Sequence, residues 1–413
     1  IEKIMKDAIY IPAYSDGLMS MFYSLDDDGI AKKYQPDFKQ KKSLRIYNRK
    51  YDAYFYNPYI LISAGTQYQK TNFREKLDIG KECKIFVDSG GYQLAMGTVN
   101  KDKFTDEVAL KWSEANGNIF PILDRPAFSK LYDYDFSLKS SVNSAKYYYE
   151  NRSKSGADVL NVLQGENKDD MENWYKEISK YKFDGWAFGG SKGNLALIGM
   201  AILTLLNNGE FDREDCKYLH IFGVSSNEIM IYLQFIQRML DNQDIDIQLT
   251  YDSTYWNRTC VFGGYFIRER YVVGTGMESM NWPNTIDYSK LGKEFKLPCL
   301  CPICEDLDDS YSFFNTFKKN KKGEDKLAFV KFNMMIGFHN LFLQMMYNKM
   351  TNRLLHADMM EVYKEFFAPK VYKNLVILET VFLNPRKGGN YQLLQQVFNE
   401  RKQETQAPSV FDL

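Results

Sequence analysis

What this sequence has little of narrows the chemistry before any motif is sought. Histidine occurs three times in 413 residues, at His220, His339 and His356. His220 falls inside a β-like run and His356 on an amphipathic helical one. Both read as structural, and no Ser-His-Asp or Cys-His nucleophilic arrangement is supported. No apolar run is long enough to cross a bilayer, so no membrane partner is expected. No signal-peptide pattern opens the chain, and a start without an initiator Met reads as trimmed or processed. There is no GxxxxGK[ST] phosphate loop, no solenoid repeat and no low-complexity block. Cysteine is sparse, six in all. That is too few for a disulfide scaffold, and three of them crowd together, which points to metal binding in a reducing, cytoplasmic setting.

Net charge is missing too, since 53 basic residues balance 53 acidic ones. Composition therefore gives no argument for a polyanionic partner. Local basic clusters exist at Lys32, Lys33, Lys39, Lys41, Lys42, Arg45, Arg49 and Lys50, and again at Lys318, Lys319, Lys321, Lys322 and Lys326. Such runs are more often solvated faces than nucleic-acid sites.

What is present is alternation. Short β-branched and aromatic runs stand at 8–13, 59–64, 84–88, 118–124, 158–164, 185–188, 218–224, 247–252 and 265–273. Helix-like stretches separate them, among them 106–116, 136–151, 168–181, 195–206 and 227–240. An alternation repeated about eight times predicts a parallel sheet covered on both faces, closed into a (β/α)8 TIM barrel. A doubly wound open sheet is the alternative. The division expected is a barrel carrying the active site over 1–290, a zinc-binding subdomain over 291–350, and a helical segment over 351–413 that closes the barrel.

The stretch Lys84–Gln93, KIFVDSGGYQ, reads as a buried strand that delivers Asp88 into a Ser-Gly-Gly turn. An acid at a strand end followed by glycines is one way to present a reactive group, although Asp-Ser-Gly is also ordinary turn chemistry. Asp124, Gln164, Gly189-Gly190, Gly223 and Asp252 likewise fall at or just past expected strand ends. In a barrel those ends converge on one face. Two acids there, Asp88 and Asp252, suit displacement at an anomeric carbon, one attacking and the other moving a proton.

Cys299, Cys301 and Cys304 form Cys-x-Cys-x-x-Cys, and His339 follows on a helix expected to begin near Phe332. Three thiolates and one imidazole complete a tetrahedral site with no open position, hence structural zinc (Zn2+). Cys83, Cys216 and Cys260 have no spacing partners and read as ordinary thiols.

Taken together, VDSGGYQ (87–93), LQG (163–165), FGGSKG (188–193), FGVSS (222–226), YDST (251–254) and CLCPIC…His339 come in the order of one family. From about residue 59 to 350 the chain resembles the tRNA-guanine transglycosylase superfamily. The resemblance implies a TIM barrel with a zinc subdomain inserted near its C-terminal end, and exchange of a guanine in a nucleic acid for a 7-deazaguanine base. It implies Asp252 as the nucleophile that forms a covalent bond to C1′, and Asp88 as general acid and base. Tyr92 would stack on the base and Asp124 would read its N1/N2 edge. Gln164 and the Gly190 amide would read O6, and the Ser191 carbonyl the 7-substituent, with Ser89 and Gly189 lining the same pocket.

Three departures point within the superfamily. Glu166 stands where the tRNA enzymes usually carry a second glycine, TYWNRTC (254–260) replaces the segment that grips the anticodon loop, and Ser-Ala-Gly-Thr-Gln stands at 63–67. The pattern resembles the DNA-modifying (DpdA-type) branch of phages and genomic islands, so the expected partners are DNA and a preQ0-like base. The alternatives are a tRNA-guanine transglycosylase, or a non-catalytic nucleic-acid-binding paralogue. A homodimer is a further expectation, because the tRNA relatives pair through the zinc region.

Overall fold

The computed structural model describes residues 5–29, 42–127, 132–153, 156–190, 193–261, 266, 299–306, 326–357 and 359–396. Its centre is a sheet of eight parallel strands. They are β1 (Ile9–Pro12), β2 (Tyr59–Ser63), β3 (Lys84–Asp88), β4 (Ile119–Pro121), β5 (Asp158–Leu163), β6 (Gly185–Phe188), β7 (Tyr218–Ile221) and β8 (Gln248–Ser253). The order is β1-β8-β7-β6-β5-β4-β3-β2. A parallel bridge between Ala13 and Leu61 brings the two outer strands together. The Tyr14 amide donates to the Leu61 carbonyl at 2.9 Å across the same seam. Closure of this kind makes a nearly complete (β/α)8 barrel and excludes the open doubly wound sheet.

The helices, in chain order, are α1 (Asp16–Phe22), α2 (Ala64–Gln67), α3 (Phe73–Lys76), α4 (Gly91–Ala95), α5 (Asp106–Asn116) and α6 (Tyr134–Asn151). They continue with α7 (Lys168–Ile178), α8 (Leu195–Asn207), α9 (Asn227–Asp241), α10 (Tyr255–Val261), α11 (Pro302–Asp306), α12 (Lys326–Leu355), α13 (Met360–Phe366) and α14 (Pro369–Leu383). Several start where a side chain satisfies a free backbone amide. Thr105 accepts from Val108, Asp133 from Phe136, Asn167 from Asp170, and Asn194 from Ala196. Each such cap contributes about 1 kcal/mol.

Helix α8 is apolar on every face and buried from Leu195 to Leu206. A helix of that kind must be covered on both sides. The barrel covers one, and the C-terminal segment covers the other. Leu394 lies so close to Gly199 that a Cβ there would meet its Cδ1 at 2.8 Å. Helix α14 packs on α9 in the same way. The segment after the barrel thus seals the outer helical layer rather than adding a strand.

Boundaries differ from the sequence reading mainly at strand ends. The run expected over 118–124 pairs only through Ile119–Pro121, which leaves Asp124 in the loop above the sheet. The helix expected to begin near Phe332 begins at Lys326. Apart from Phe266, the run at 265–273 lies outside the described residues, as do Ser191, Lys32, Lys33, Lys39, Lys41, Lys318, Lys319, Lys321 and Lys322. The described remainder of the first basic cluster is engaged locally. Arg45 donates to the Asp27 carbonyl and the Tyr51 hydroxyl, Lys50 pairs with Asp78, and Arg49 lies over Tyr56. Among the described residues no helix is long and apolar enough to cross a membrane.

Candidate active site and metal centre

Asp88 ends β3, and its register partner on β2 is Ser63. The turn after it cannot hold side chains. Gly90 sits at φ +86°, and a Cβ there would lie 2.6 Å from the Cα and amide nitrogen of Gly65. At Gly91 a Cβ would lie 2.3 Å from the Asp124 carbonyl oxygen. The two glycines therefore let β3, the start of α2 and the loop after β4 close on one another. That contact brings Ser89 to Asp124.

Three groups lock together there. The Ser89 hydroxyl donates to Asp124 Oδ1 at 3.1 Å, and Gln164 Nε2 donates to Oδ2 at 2.6 Å. Gln164 Nε2 also donates to the Arg125 carbonyl at 3.2 Å, while its Oε1 accepts from the Ala127 amide at 2.6 Å. Gln164 is buried with its amide fully engaged.

Asp252, on β8, is 7% exposed. Its Oδ1 accepts from the Gly223 amide at 2.9 Å and lies 3.3 Å from His220 Nε2. Gly223 reaches it from a left-handed turn at φ +67°, just beyond β7. The same turn is pinned by the Val224 amide, which donates to the Asp252 carbonyl at 2.8 Å. Gly189 and Gly190 follow β6 at the same face of the barrel, with Gly190 at φ +80°. Tyr92, on α4, is 63% exposed, and the Ser191 expectation cannot be placed because that residue lies outside the described ones.

Asp88, Asp124 and Asp252 thus share one mouth, and their charges interact. Burial, then the carboxylate of Asp124 and more weakly that of Asp252, push the Asp88 carboxyl up to about 7, while Ser63 and the Gly90 amide pull it down. Asp124 is raised too, mainly by burial, but Ser89, Arg125 and Gln164 oppose the shift. With donors on both its oxygens, Asp124 has the better-supported charge of the two. Near neutral pH the proton that relieves the crowding therefore sits on Asp88. A carboxyl poised near 7 can both give and take a proton.

Sequence reasoning set His220 aside, and the structure brings it to Asp252. It is fully buried inside the barrel, with its ring stacked on Phe86 at 4.0 Å between centroids and against the edge of Phe222 at 4.6 Å. A signal was available in strand parity. His220 is in register with Thr250, and Thr250 faces the same way as Asp252 two residues on. His356 stays away from the mouth and reaches Asp7 at 3.0 Å.

The second constellation is local. The ligand atoms of Cys299, Cys301, Cys304 and His339 all lie within 4.8 Å of one another, and all four residues are buried. His339 Nδ1 is 3.2 Å from both Cys301 Sγ and Cys304 Sγ. On its other side Nε2 lies 2.7 Å from the Phe266 carbonyl, which only accepts, so Nε2 carries the hydrogen and Nδ1 presents its lone pair to the sulfurs. The Cys304 amide donates to Cys301 Sγ at 3.4 Å. The group has the donors and the orientation to hold a metal ion.

A broad groove also opens at the opposite face of the barrel, between Phe211–Glu214, Gln243–Asp246 and Leu383–Lys387. Its charges are largely matched, Arg386 gripping Asp212 through both oxygens. It contains none of the chemistry of the mouth.

The chain matches no family model, and no curated protein sequence matches it.

Proposed function

We propose that this protein is a guanine transglycosylase of the tRNA-guanine transglycosylase superfamily, acting on DNA. The observation that carries the reading is the pairing at one mouth of a buried carboxylate, Asp252, with a second acid, Asp88, held near neutrality. Asp252 attacks C1′ of the target deoxyguanosine. The C1′–N9 bond breaks, its electron pair leaves with guanine, and Asp88 supplies the proton. The incoming 7-deazaguanine base then loses its N9 proton to Asp88 and forms the new bond to C1′, and the pair of the C1′–O bond returns to Asp252. Two inversions retain configuration.

The neighbouring groups suit guanine. Its N1–H and N2–H2 donate, and the Asp124 carboxylate, oriented by Ser89 and Gln164, accepts. Because the Gln164 amide is committed to Asp124, Arg125 and Ala127, O6 is left to backbone donors such as the Gly190 amide. The target base must leave its stack to enter. Zinc is the metal that best fits three thiolates and an imidazole, in a structural role.

DNA rather than tRNA is favoured by what α10 does. Within the TYWNRTC segment Trp256, Asn257 and Cys260 turn inward, while Thr254 and Arg258 stay exposed. Trp256 is buried, its carbonyl accepts from Asn340 Nδ2 at 3.1 Å, and Asn257 donates to Ser15 Oγ at 2.6 Å. A segment held this way by α12 and by Ser15, the cap of α1, offers Arg258 as its one cation, a poor grip for an anticodon loop. The test incubates the chain with duplex DNA, tRNA and a labelled 7-deazaguanine base. Label is expected in DNA; label in tRNA alone would favour the tRNA enzyme, and no covalent adduct with either would favour a binding paralogue.

A further inference from the structure

Asp252 presents its two carboxylate oxygens to different surroundings. Oδ1 faces both the Gly223 amide at 2.9 Å and His220 Nε2 at 3.3 Å. No described residue donates a hydrogen bond to Oδ2. A carboxylate oxygen only accepts, so attraction requires the hydrogen of His220 to be on Nε2. Nδ1 then carries a lone pair and, at 2.8 Å, accepts from the Thr250 hydroxyl. Thr250, His220 and Asp252 form a directed line of donors, Oγ1–H to Nδ1 and Nε2–H to Oδ1.

The aromatic walls fix the ring. Phe86 stacks on one face of His220 at 27° between planes, and Phe222 meets it edge-on at 76°. Burial holds the imidazole below its ordinary pKa against the opposing pull of Asp252, which keeps it a neutral donor.

We infer that His220 is the positioning residue for the nucleophile: it anchors Oδ1 of Asp252, together with the Gly223 amide, so that Oδ2 is the oxygen that bonds to C1′. The inference rests on the reading of Asp252 as the attacking group and adds what selects its reactive oxygen. When the new base displaces the ester, the electron pair returns to Oδ2 and the charge spreads over both oxygens. The two donors stabilise the share on Oδ1 and so assist the departure of Asp252, while in the attack His220 acts through orientation alone. Nothing is transferred to or from the imidazole.

The chain has three histidines, which makes nitrogen NMR of the full-length, metal-loaded protein tractable. His220 is expected as the neutral Nε2–H tautomer at about pH 7, with a shift that moves on Asp252→Asn. An imidazolium or an Nδ1–H tautomer would overturn the inference. In kinetics, His220→Phe keeps an aromatic ring between Phe86 and Phe222 but removes the donor. It is expected to lower kcat about 10- to 100-fold, the loss typical of one hydrogen bond to a charged group, with the KM for the free base little changed. The trapped enzyme–DNA adduct should also break down more slowly with incoming base. His220→Gln, which restores an N–H donor, is expected to recover part of the rate. Equal adduct formation and breakdown in His220→Phe and wild type would sink the role of His220 and leave Asp252 as nucleophile. A wild-type chain that forms no adduct at all would sink the nucleophile, and the positioning role with it.

Discussion

At the barrel mouth, Asp88 arrives from the end of β3, Asp124 from the loop after β4 and Asp252 from β8, brought together only by the closed sheet. In the C-terminal region, Cys299, Cys301 and Cys304 come from one turn of chain, and His339 alone is distant. Both places crowd groups that repel one another when ionised. The cysteine cluster is suited to relieving that repulsion with a cation, which displaces the thiol protons on binding. The mouth relieves it by holding a proton on Asp88 and by surrounding Asp124 with donors. On the function proposed above, the first device would serve stability and the second reactivity. A neutralised metal cluster has nothing left to exchange, whereas a shared proton can move.

Removing the metal should break this comparison most strongly. Chelation, or Cys301→Ser, is expected to cost several kcal/mol of stability, on the order of 10 in isolated zinc modules. Elemental analysis should find one zinc per chain, and thermal unfolding with and without chelator should differ widely; identical curves would mean that the cluster binds no structural ion. Next comes Asp252→Asn, which should lower exchange about 10^4-fold or more, roughly 5.5 kcal/mol in the barrier, while circular dichroism stays that of the native chain. Turnover retained in that variant would take the nucleophile away from Asp252.

Smaller effects sharpen the picture of the mouth itself. Gly90→Ala places a Cβ at φ +86° and 2.6 Å from the backbone of Gly65. It is expected to destabilise by about 2–4 kcal/mol in denaturant unfolding. Gly97→Ala, at φ +67° with nothing near its Cβ, should cost only about 1 kcal/mol. Equal costs would mean that close packing at the Ser-Gly-Gly turn is unimportant.

Asp88→Asn tests the proton. The folded carboxyl titrates at about 7 and the unfolded one at its ordinary 3.8. Below the lower value both states are protonated and the site costs nothing. As pH rises towards 7 the unfolded chain releases its proton first, so wild-type stability falls over that window. Asn never ionises, so the variant should be more stable than wild type by about 1–3 kcal/mol at about pH 8, and equal to it below about pH 4. A variant less stable at both pH values would show that Asp88 is not held protonated by its surroundings.

Much of this architecture was legible in the chain because parallel strands buried on both faces write themselves as short apolar runs. All eight strands begin within one residue of the expected position, and β4 was over-extended because Ile122 and Leu123 continue the apolar run past its last strand residue, Pro121. Asp88 and Asp252 stood out as acids at the ends of such runs. His220 did not, because a histidine within a strand looks the same in sequence whether it faces the helices or the barrel interior. Gln164 was visible as a polar residue at a strand end, but its commitment to Asp124 was not.

By itself, then, the order of residues determined the alternation of strands and helices, the glycine turn after Asp88, and the cysteine cluster, since each depends on neighbours within a few positions. Only closure of the barrel decided which polar groups meet. The bridge from Ala13 to Leu61 and the registers of Ser63 with Asp88 and His220 with Thr250 set the mouth's geometry, its proton on Asp88 and the donor behind Asp252. The physical reason is range. Backbone conformation and thiol spacing are local, while the electrostatic energy of a buried carboxylate depends on whatever distant strands bring within a few ångströms of it.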